Sequence, residues 1–278
     1  MTMSAANPTS MHLIINTRPA ATADALQQAL SQRLLPSVSL PGMLITGPDD
    51  PAMISAHLRA ALAADIWIFT SINAIEQCFL LLSTQPLPAA GWPLLAVLGS
   101  GSWHCLQQHL QAVKASDVEI ISPAEADASN SEGLLQHPRL QQVAGKQVLL
   151  LNAPGGRDKL RTALHQRGAS VNELAVYQRL APALDDHALE QISAWPGGLL
   201  TVWTSSAAIG FLQQRFATTN ARAAGLWQRI IHGQHLVLSA AQRRLLQQLD
   251  AVTITVASAP DPESLAQQVQ RLVCSESG

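Results

Sequence analysis

A short apolar run, a glycine turn, an amphipathic segment and a second extended run follow one another between Gly145 and Leu180, GKQVLLLNAPGGRDKLRTALHQRGASVNELAVYQRL. Val148–Leu151 is the first run and Pro154-Gly155-Gly156 the turn. The amphipathic segment starts near Arg157 and stops at Gly168, and the run from Val171 to Leu180 carries the only tyrosine, Tyr177. Strand, glycine turn, helix and strand in that order make a βαβ unit. The helix of such a unit opens with unpaired backbone N–H groups and the positive end of its dipole. Gly155, Gly156 and Arg157 are therefore a candidate anion site. Parallel strands joined by helices are buried on both faces, which restricts the fold to layered α/β architectures.

The rest of the chain keeps the same rhythm. Residues 13–16 precede Thr17-Arg18-Pro19 and then apolar residues at 23, 26, 29, 30 and 34, a helical spacing. Pro19 suits the first turn of that helix, and Pro36 ends it. A strand at 66–69 ends in Thr70-Ser71 before a helix at 73–82, and a strand at 94–98 ends in Gly99-Ser100-Gly101-Ser102 before a helix at 103–112. Strand 199–203 ends in Thr204-Ser205 before helix 207–216, and strand 235–238 ends at Ser239 before helix 241–249. Further helices are predicted at 52–63, 132–137 (capped by Ser131), 185–194 and 262–273, with strands at 118–121 and 252–257. No element is predicted for 217–234. Alternation of this kind predicts parallel sheets with helices on both faces.

The alternation repeats. Leu13 and Val148 lie 135 residues apart, Ser37-Val38 and Ser170-Val171 lie 133 apart, and Thr70-Ser71 and Thr204-Ser205 lie 134 apart. Two copies of one α/β unit are expected. The segments 37–45 and 170–180 are half polar and are expected to be linker strands between two domains. The first domain is then discontinuous, 1–36 with 181–278, and the second is 46–169.

Composition removes several function classes. Hydrophobic residues make up 47% and charged residues 13%, which suits packed cores and not disorder. A net charge of −2 and an aromatic content of 4%, not interleaved with basic residues, argue against nucleic acid as a partner. No apolar run reaches the ~18 residues that a membrane span needs. MTMSAANPTS lacks the basic and apolar regions of a secretory signal and is expected to be an unstructured extension, with Met11 as a candidate start. Cys78, Cys105 and Cys274 are odd in number and scattered, which fits reduced thiols in a cytoplasm; Cys105 is expected in a core. His104 and His109 lie off a common helical face, and no histidine stands at ligand spacing, so no metal is expected. The chain has no GxxxxGK[ST], no GxGxxG after a strand and no GxSxG.

Seven motifs in order carry a resemblance: TRP (17–19), FTSINAI (69–75), SEGLLQHPRL (131–140), VAGKQVLLLNAPGGRDKL (143–160), RGASVNELAVYQR (167–179), WTSSAAI (203–209) and LVLSAAQRRL (236–245). Across residues 12–273 the chain resembles the uroporphyrinogen-III synthase family. The resemblance implies two flavodoxin-like parallel-sheet domains joined by a two-stranded linker, with the active site in the cleft between them. It implies a lyase without cofactors. Hydroxymethylbilane loses water, and the resulting azafulvene closes through a spiro intermediate. The terminal pyrrole ring is thereby inverted, giving uroporphyrinogen III for haem. The expected state is a cytoplasmic monomer that binds hydroxymethylbilane and touches hydroxymethylbilane synthase transiently. The rival expectation is a non-catalytic bilobed protein that binds another anionic small molecule.

The bilane is a polycarboxylate and the chain is slightly acidic, so recognition must be local. Backbone N–H groups and hydroxyls at strand ends supply it, and in open parallel sheets ligands sit at those ends. The candidate substrate-binding residues are Thr17, Arg18, Thr70, Ser71, Asn73, Gly99, Ser100, Ser102, Gly155, Gly156, Arg157, Thr204, Ser205 and Ser239. Each serine or threonine can equally be a plain helix cap, and Arg18 and Arg157 can equally form exposed ion pairs. Tyr177 is the candidate for proton delivery to the departing hydroxyl, since the family has a tyrosine there; the alternative is a linker tyrosine packed on a sheet. Two departures stand out. Asn152 replaces the family's arginine before the glycine turn, and Ser239-Ala240-Ala241-Gln242 and Gly99–Ser102 replace a Gly-x-x-Thr pattern.

Overall fold

The computed structural model describes residues 12–124, 130–155, 158–219 and 221–274. The chain opens with β1 (Leu13–Asn16), α1 (Ala20–Ser31), β2 (Ser37–Ser39) and β3 (Leu44–Thr46). Next come α2 (Pro51–Ala60), β4 (Ile66–Phe69), α3 (Ile72–Leu82), β5 (Leu94–Val97), α4 (Ser100–Ala112) and β6 (Ile120–Ile121). They are followed by α5 (Ser131–Gln136), α6 (Pro138–Gln141), β7 (Gln147–Asn152), α7 (Lys159–Gln166), β8 (Ser170–Ala175) and β9 (Gln178–Leu180). The last third holds α8 (Asp186–Ala194), β10 (Leu199–Trp203), α9 (Ser206–Thr219), α10 (Ala221–Ile231), β11 (Gln234–Val237), α11 (Ala240–Gln247), β12 (Thr253–Val256) and α12 (Pro262–Cys274).

Ten of these strands form two five-stranded sheets, β12-β11-β10-β1-β2 and β6-β5-β4-β7-β8. Every pairing is parallel. Numbered within its own unit, the first sheet has the flavodoxin-like order 2-1-3-4-5. The second has the same spatial arrangement, but the chain enters at the third position and adds the first two strands last, a circular permutation. β3 and β9 pair in a small two-stranded sheet. The chain accordingly divides into two compact units: one runs to Leu44 and resumes at Leu180, and the other is Ile45–Arg179.

The repeat landmarks fall on equivalent strands: Leu13 and Val148 in β1 and β7, Ser37 and Ser170 at the starts of β2 and β8, Thr70 and Thr204 just after β4 and β10. The sheets nevertheless do not follow the copies. β1 and β2 of the first copy join β10, β11 and β12 of the second, while β7 and β8 of the second join β4, β5 and β6 of the first. The two copies have exchanged halves.

Several predicted boundaries move, each for a local reason. The run from Val171 to Leu180, expected as one linker strand, is two strands separated by Val176 and Tyr177, and Ser170–Ala175 pairs along β7 as a sheet edge. Ser37–Ser39 likewise pairs with β1. Asn130, not Ser131, caps α5, its side-chain oxygen accepting from Gly133 N–H at 3.0 Å. The helix expected from Arg157 is described from Lys159; Arg157 lies outside the described residues. α10 was not predicted at all, although Ala223, Leu226, Trp227, Ile230 and Ile231 stand at helical spacing and are buried.

Both sheets are covered on both faces, so their central strands are continuously apolar. In the Ile45–Arg179 unit, Trp67, Phe69, Leu149 and Leu151 pack with α2, α3 and α4. Ile66, Ile68, Val148 and Leu150 pack on the other side with α5, α6 and α7. In the other unit, Ile14, Leu200, Val202 and Leu236 pack against α1 and α12. On its opposite face α10 presents Trp227 edge-on to Trp203, with ring centroids 6.3 Å apart.

Beside that pair His235 is 1% exposed. Its Nδ1 accepts from Trp203 Nε1–H at 3.0 Å, which fixes the proton on Nε2, where it is donated to Ile231 O at 2.9 Å. Burial pushes the His235 pKa below its ordinary value, partly offset by the bond to Ile231. A folded-state pKa below the unfolded one means that the unfolded chain takes up the proton first. The stability contributed by neutral His235 is therefore whole above ~6.5, the ordinary histidine value, and is lost as pH falls from there through the depressed value. Urea midpoints measured from pH 7.5 down to 5 should fall more steeply for the native protein than for His235→Gln; equal slopes would rule this out.

Candidate functional site

Each sheet has one point where the chain order reverses, and ligands of open α/β sheets gather there, at the carboxyl ends of the strands. In the Ile45–Arg179 unit the reversal lies between β4 and β7. α3 leaves β4 for one face and α7 leaves β7 for the other. The residues flanking this crevice are Thr70 and Ser71 on one side and Asn152 to Gly155 on the other.

Ser71 caps α3. Its Oγ accepts from Ala74 N–H at 3.1 Å and lies 3.1 Å from the hydroxyl of Tyr177. The break between β8 and β9 brings Tyr177 there, because β8 ends at the carboxyl edge of the sheet and the next residues turn over it. The ring is 4% exposed and packs in the core under α3 and α4. Thr70 Oγ1 donates to Leu151 O at 3.1 Å and ties β4 to β7. Asn73 is half-buried in the first turn of α3. The sequence separates Ser71 from Tyr177 by 106 residues, so only the sheet order makes them neighbours.

Gly99 is the extended N-cap of α4, and Ser100 to Ser102 form the first turn of that helix. The sequence placed these residues in a turn and began the helix at 103. The structure corrects this, with Trp103 N–H donating to Gly99 O at 3.0 Å. No side chain caps α4, and Ser100 is exposed while Ser102 is half-buried. Gly155 has φ +74, a left-handed value that favours glycine. Gly156 and Arg157 lie outside the described residues. Asn152 Nδ2–H donates to Glu173 Oε2 at 3.0 Å, and Glu173 also pairs with Arg161 Nε at 2.9 Å. Asn152 is thus tied into an ion-pair network along the edge of the sheet.

In the other unit the reversal lies between β1 and β10, flanked by Thr17-Arg18 and Thr204-Ser205. Thr17 is 1% exposed, its hydroxyl donating to Val202 O at 2.7 Å and its carbonyl accepting from Gly42 N–H at 2.9 Å. That hydroxyl holds strands together. Arg18 donates through one terminal nitrogen to Pro260 O, while its Nε is buried with no partner. Burial lowers the Arg18 pKa and nearby Asp261 works against that, so the guanidinium stays charged. Thr204 is half-buried, and Ser205 Oγ accepts from Ala207 N–H at 3.2 Å.

Ser239 Oγ accepts from Gln242 N–H at 3.3 Å while Gln242 Oε1 accepts from Leu238 N–H at 2.6 Å, a reciprocal arrangement close to a capping box. Gln242, a departure from the family pattern, therefore anchors the start of α11. The serines at 71, 205 and 239 are all caps, as the plainer reading of the sequence allowed. A capping hydroxyl uses its oxygen as acceptor, which leaves its proton available to a carboxylate. By contrast, Arg59, Arg167 and Arg229 each donate to two or more backbone carbonyls and serve the fold. Among the described residues no group of three His, Cys, Asp or Glu side chains could hold a metal ion. Among the same residues no helix is long and apolar enough to cross a membrane.

Two flavodoxin-like units, each a parallel five-stranded sheet with hydroxyl side chains and helix N-termini at the carboxyl ends of its strands, define a doubly wound α/β protein. A profile of the family described as uroporphyrinogen-III synthase HemD matches residues 24–267. The uroporphyrinogen-III synthase of Salmonella typhimurium is 33% identical over 145 residues, 52% of this chain and 56% of that protein. The enzyme of the same name from Proteus mirabilis is 30% identical over 168 residues, 60% of this chain and 80% of that protein. The matched stretch thus spans little more than half of the Salmonella protein. A crystal structure of a mutant uroporphyrinogen III synthase from the extremely thermophilic bacterium Thermus thermophilus shares the fold, with a TM-score of 0.61 at 14% identity over 95% of this chain and 99% of that one. The chain belongs to the uroporphyrinogen-III synthase family.

Proposed function

We propose that this chain cyclises hydroxymethylbilane to uroporphyrinogen III, with loss of water and inversion of the terminal pyrrole ring, without a cofactor. The single observation that carries the reading is the Tyr177 hydroxyl, held 3.1 Å from Ser71 Oγ beside the β4–β7 reversal. The leaving group is a hydroxyl, a poor one, and an O–H donor lets it depart as water. The rest of the task is to decide which ring atom attacks, which is a matter of holding the bilane in one geometry. Its carboxylates are met by the exposed first turn of α4, by the cap serines 205 and 239, by Asn73, Thr204 and Gly155, and by the charge of Arg18, while Ser71 serves Tyr177 and Thr70 ties β4 to β7. Thr17 acts beneath them, fixing β1 to β10. Gly156 and Arg157 join the carboxylate-binding set in this reading. The protein acts as a cytoplasmic monomer that takes its unstable substrate from hydroxymethylbilane synthase.

The test is a coupled assay in which the synthase makes hydroxymethylbilane in place, the products are oxidised, and type I and type III uroporphyrins are separated. Predominantly type III product is expected. Type I alone, at the level of a control without the protein, would end this reading and leave a two-unit binder of another anionic molecule.

A further inference from the structure

We propose that Ser71 is the positioning residue of Tyr177: its hydroxyl donates to the phenol oxygen and so turns the phenol proton outward, to where the departing hydroxyl of the bilane must receive it. This rests on the reading of the chain as a uroporphyrinogen-III synthase. The two oxygens are 3.1 Å apart, and either can be the donor. Ser71 Oγ has a further obligation, since it accepts from Ala74 N–H at 3.1 Å as the cap of α3. Its proton is then the part of the serine hydroxyl that the helix does not use. If Ser71 donates, the phenol proton is free; if Tyr177 donates, the free proton is the serine's, a far weaker acid. The pair offers a single outward O–H, and the sense of one hydrogen bond decides whose it is.

Packing makes that sense matter. Tyr177 is 4% exposed and its ring lies within the core under α3 and α4, so the hydroxyl reorients by torsion about its C–O bond and not by moving the ring. In the reaction, the C–O bond of the hydroxymethyl group breaks, its electron pair leaves with oxygen, and the phenol proton joins that oxygen to form water. The phenolate left behind accepts the hydrogen bond that Ser71 already donates. It regains a proton from the one the pyrrole carbon releases at final ring closure, so the cycle balances without another reactant. A partner that can only accept would draw the phenol proton inward and close this path, even while capping the helix well.

Ser71→Asp makes that distinction, because aspartate is as good an N-cap as serine but only accepts when ionised. The measurement is kcat and KM for type III formation in Ser71→Asp, Ser71→Ala and Ser71→Thr, each with Tyr177 and with Tyr177→Phe. Expected are a fall in kcat of about tenfold or more for Asp and Ala with KM changed less than about twofold, near-native kcat for Thr, and no further loss from Ser71→Ala once Tyr177 is Phe. Native kcat in Ser71→Asp would overturn the proposal and leave Ser71 a cap. A raised KM, or losses that multiply in the double variant, would overturn it in favour of direct contact with substrate. Since Tyr177 is the only tyrosine, infrared spectra of ring-labelled protein report its C–O stretch alone. The donor and acceptor senses give different stretches, so the native protein and Ser71→Asp should differ, and identical bands would overturn the proposal. That readout needs no turnover, so it separates failure of this inference from failure of the functional reading, which the native protein's type III yield decides.

Discussion

Trp203→Ala is expected to remove about 3–5 kcal/mol from the stability of the unit that holds β1 and β10, the range for deleting a buried tryptophan. Trp203 is fully buried on the central strand β10, flanked by β1 and β11. Its ring meets Trp227 edge-on, and Trp227 stacks on Phe216 at 5.3 Å, so the deletion opens a space that α9 and α10 border. A second loss adds to it. His235 Nδ1 loses the N–H it accepts from, and an unmet buried acceptor costs roughly 1–3 kcal/mol. Against a typical domain stability of ~5–15 kcal/mol this is a large share. Trp203→Phe separates the contributions, since it keeps most of the packing and loses only the N–H. Urea unfolding followed by circular dichroism should place the midpoints in the order native, Phe, Ala. An Ala midpoint at the native value would show that this side chain does not anchor the core.

The repeat in the sequence and the sheets in the structure agree on strands and disagree on partners. Offsets of 133 to 135 residues identify equivalent strands, but a parallel strand pair leaves no mark in either strand that says which copy it belongs to. Val148–Leu151 is as compatible with a neighbour in its own copy as with β4, where it pairs. Hydrophobic pattern reports burial on two faces, so the apolar strands are legible, whereas the half-polar β2 and β8 read as linkers and prove to be sheet edges; boundaries are set less well. Ser131 and Asn130 are both good caps standing side by side, and only the bond to Gly133 N–H decides for Asn130. The Val171–Leu180 run has β propensity throughout, so its division at Val176 and Tyr177 comes from the end of pairing with β7 and not from composition. α10 is legible in the sequence, for its apolar residues keep helical spacing up to Ile231.

The site was legible as a set of strand ends and not as contacts. Thr17 and Thr70 look alike in sequence, each ending a strand before a helix. Yet Thr17 is sealed beneath the surface against Val202 O, whereas Thr70 remains half-exposed beside a cap. Gly42 N–H also reaches Thr17 O from across the next connection, and no local pattern encodes that contact. Asn152 and Gln242 were departures without a reason in sequence. In the structure both side chains have partners, Asn152 the Glu173 carboxylate on the neighbouring β8 and Gln242 the N–H of Leu238 just after β11. In the proposed reading the functional weight therefore shifts toward Tyr177, Ser71 and the uncapped start of α4.

Tyr177→Phe is expected to lower the rate of type III formation by about 100-fold or more, the lower part of the range for a general acid. The substitution keeps the ring, and the ring is what the core contacts, so the fold should lose no more than ~1 kcal/mol, the worth of one hydrogen bond. Substrate affinity should change little, because one neutral hydroxyl adds little to a ligand held by several carboxylates. A fall in kcat with KM unchanged marks an interaction made in the transition state and not in the bound complex. The product itself supplies a second readout. Bilane that the variant fails to turn over in time closes without inversion, so the ratio of type I to type III should rise as turnover falls. A variant that keeps the native rate and still gives type III would move the proton donor elsewhere, with Ser71 the first residue to examine. A variant that binds the bilane and gives only type I, where the native protein gives type III, would make the Tyr177 hydroxyl the group on which ring inversion depends.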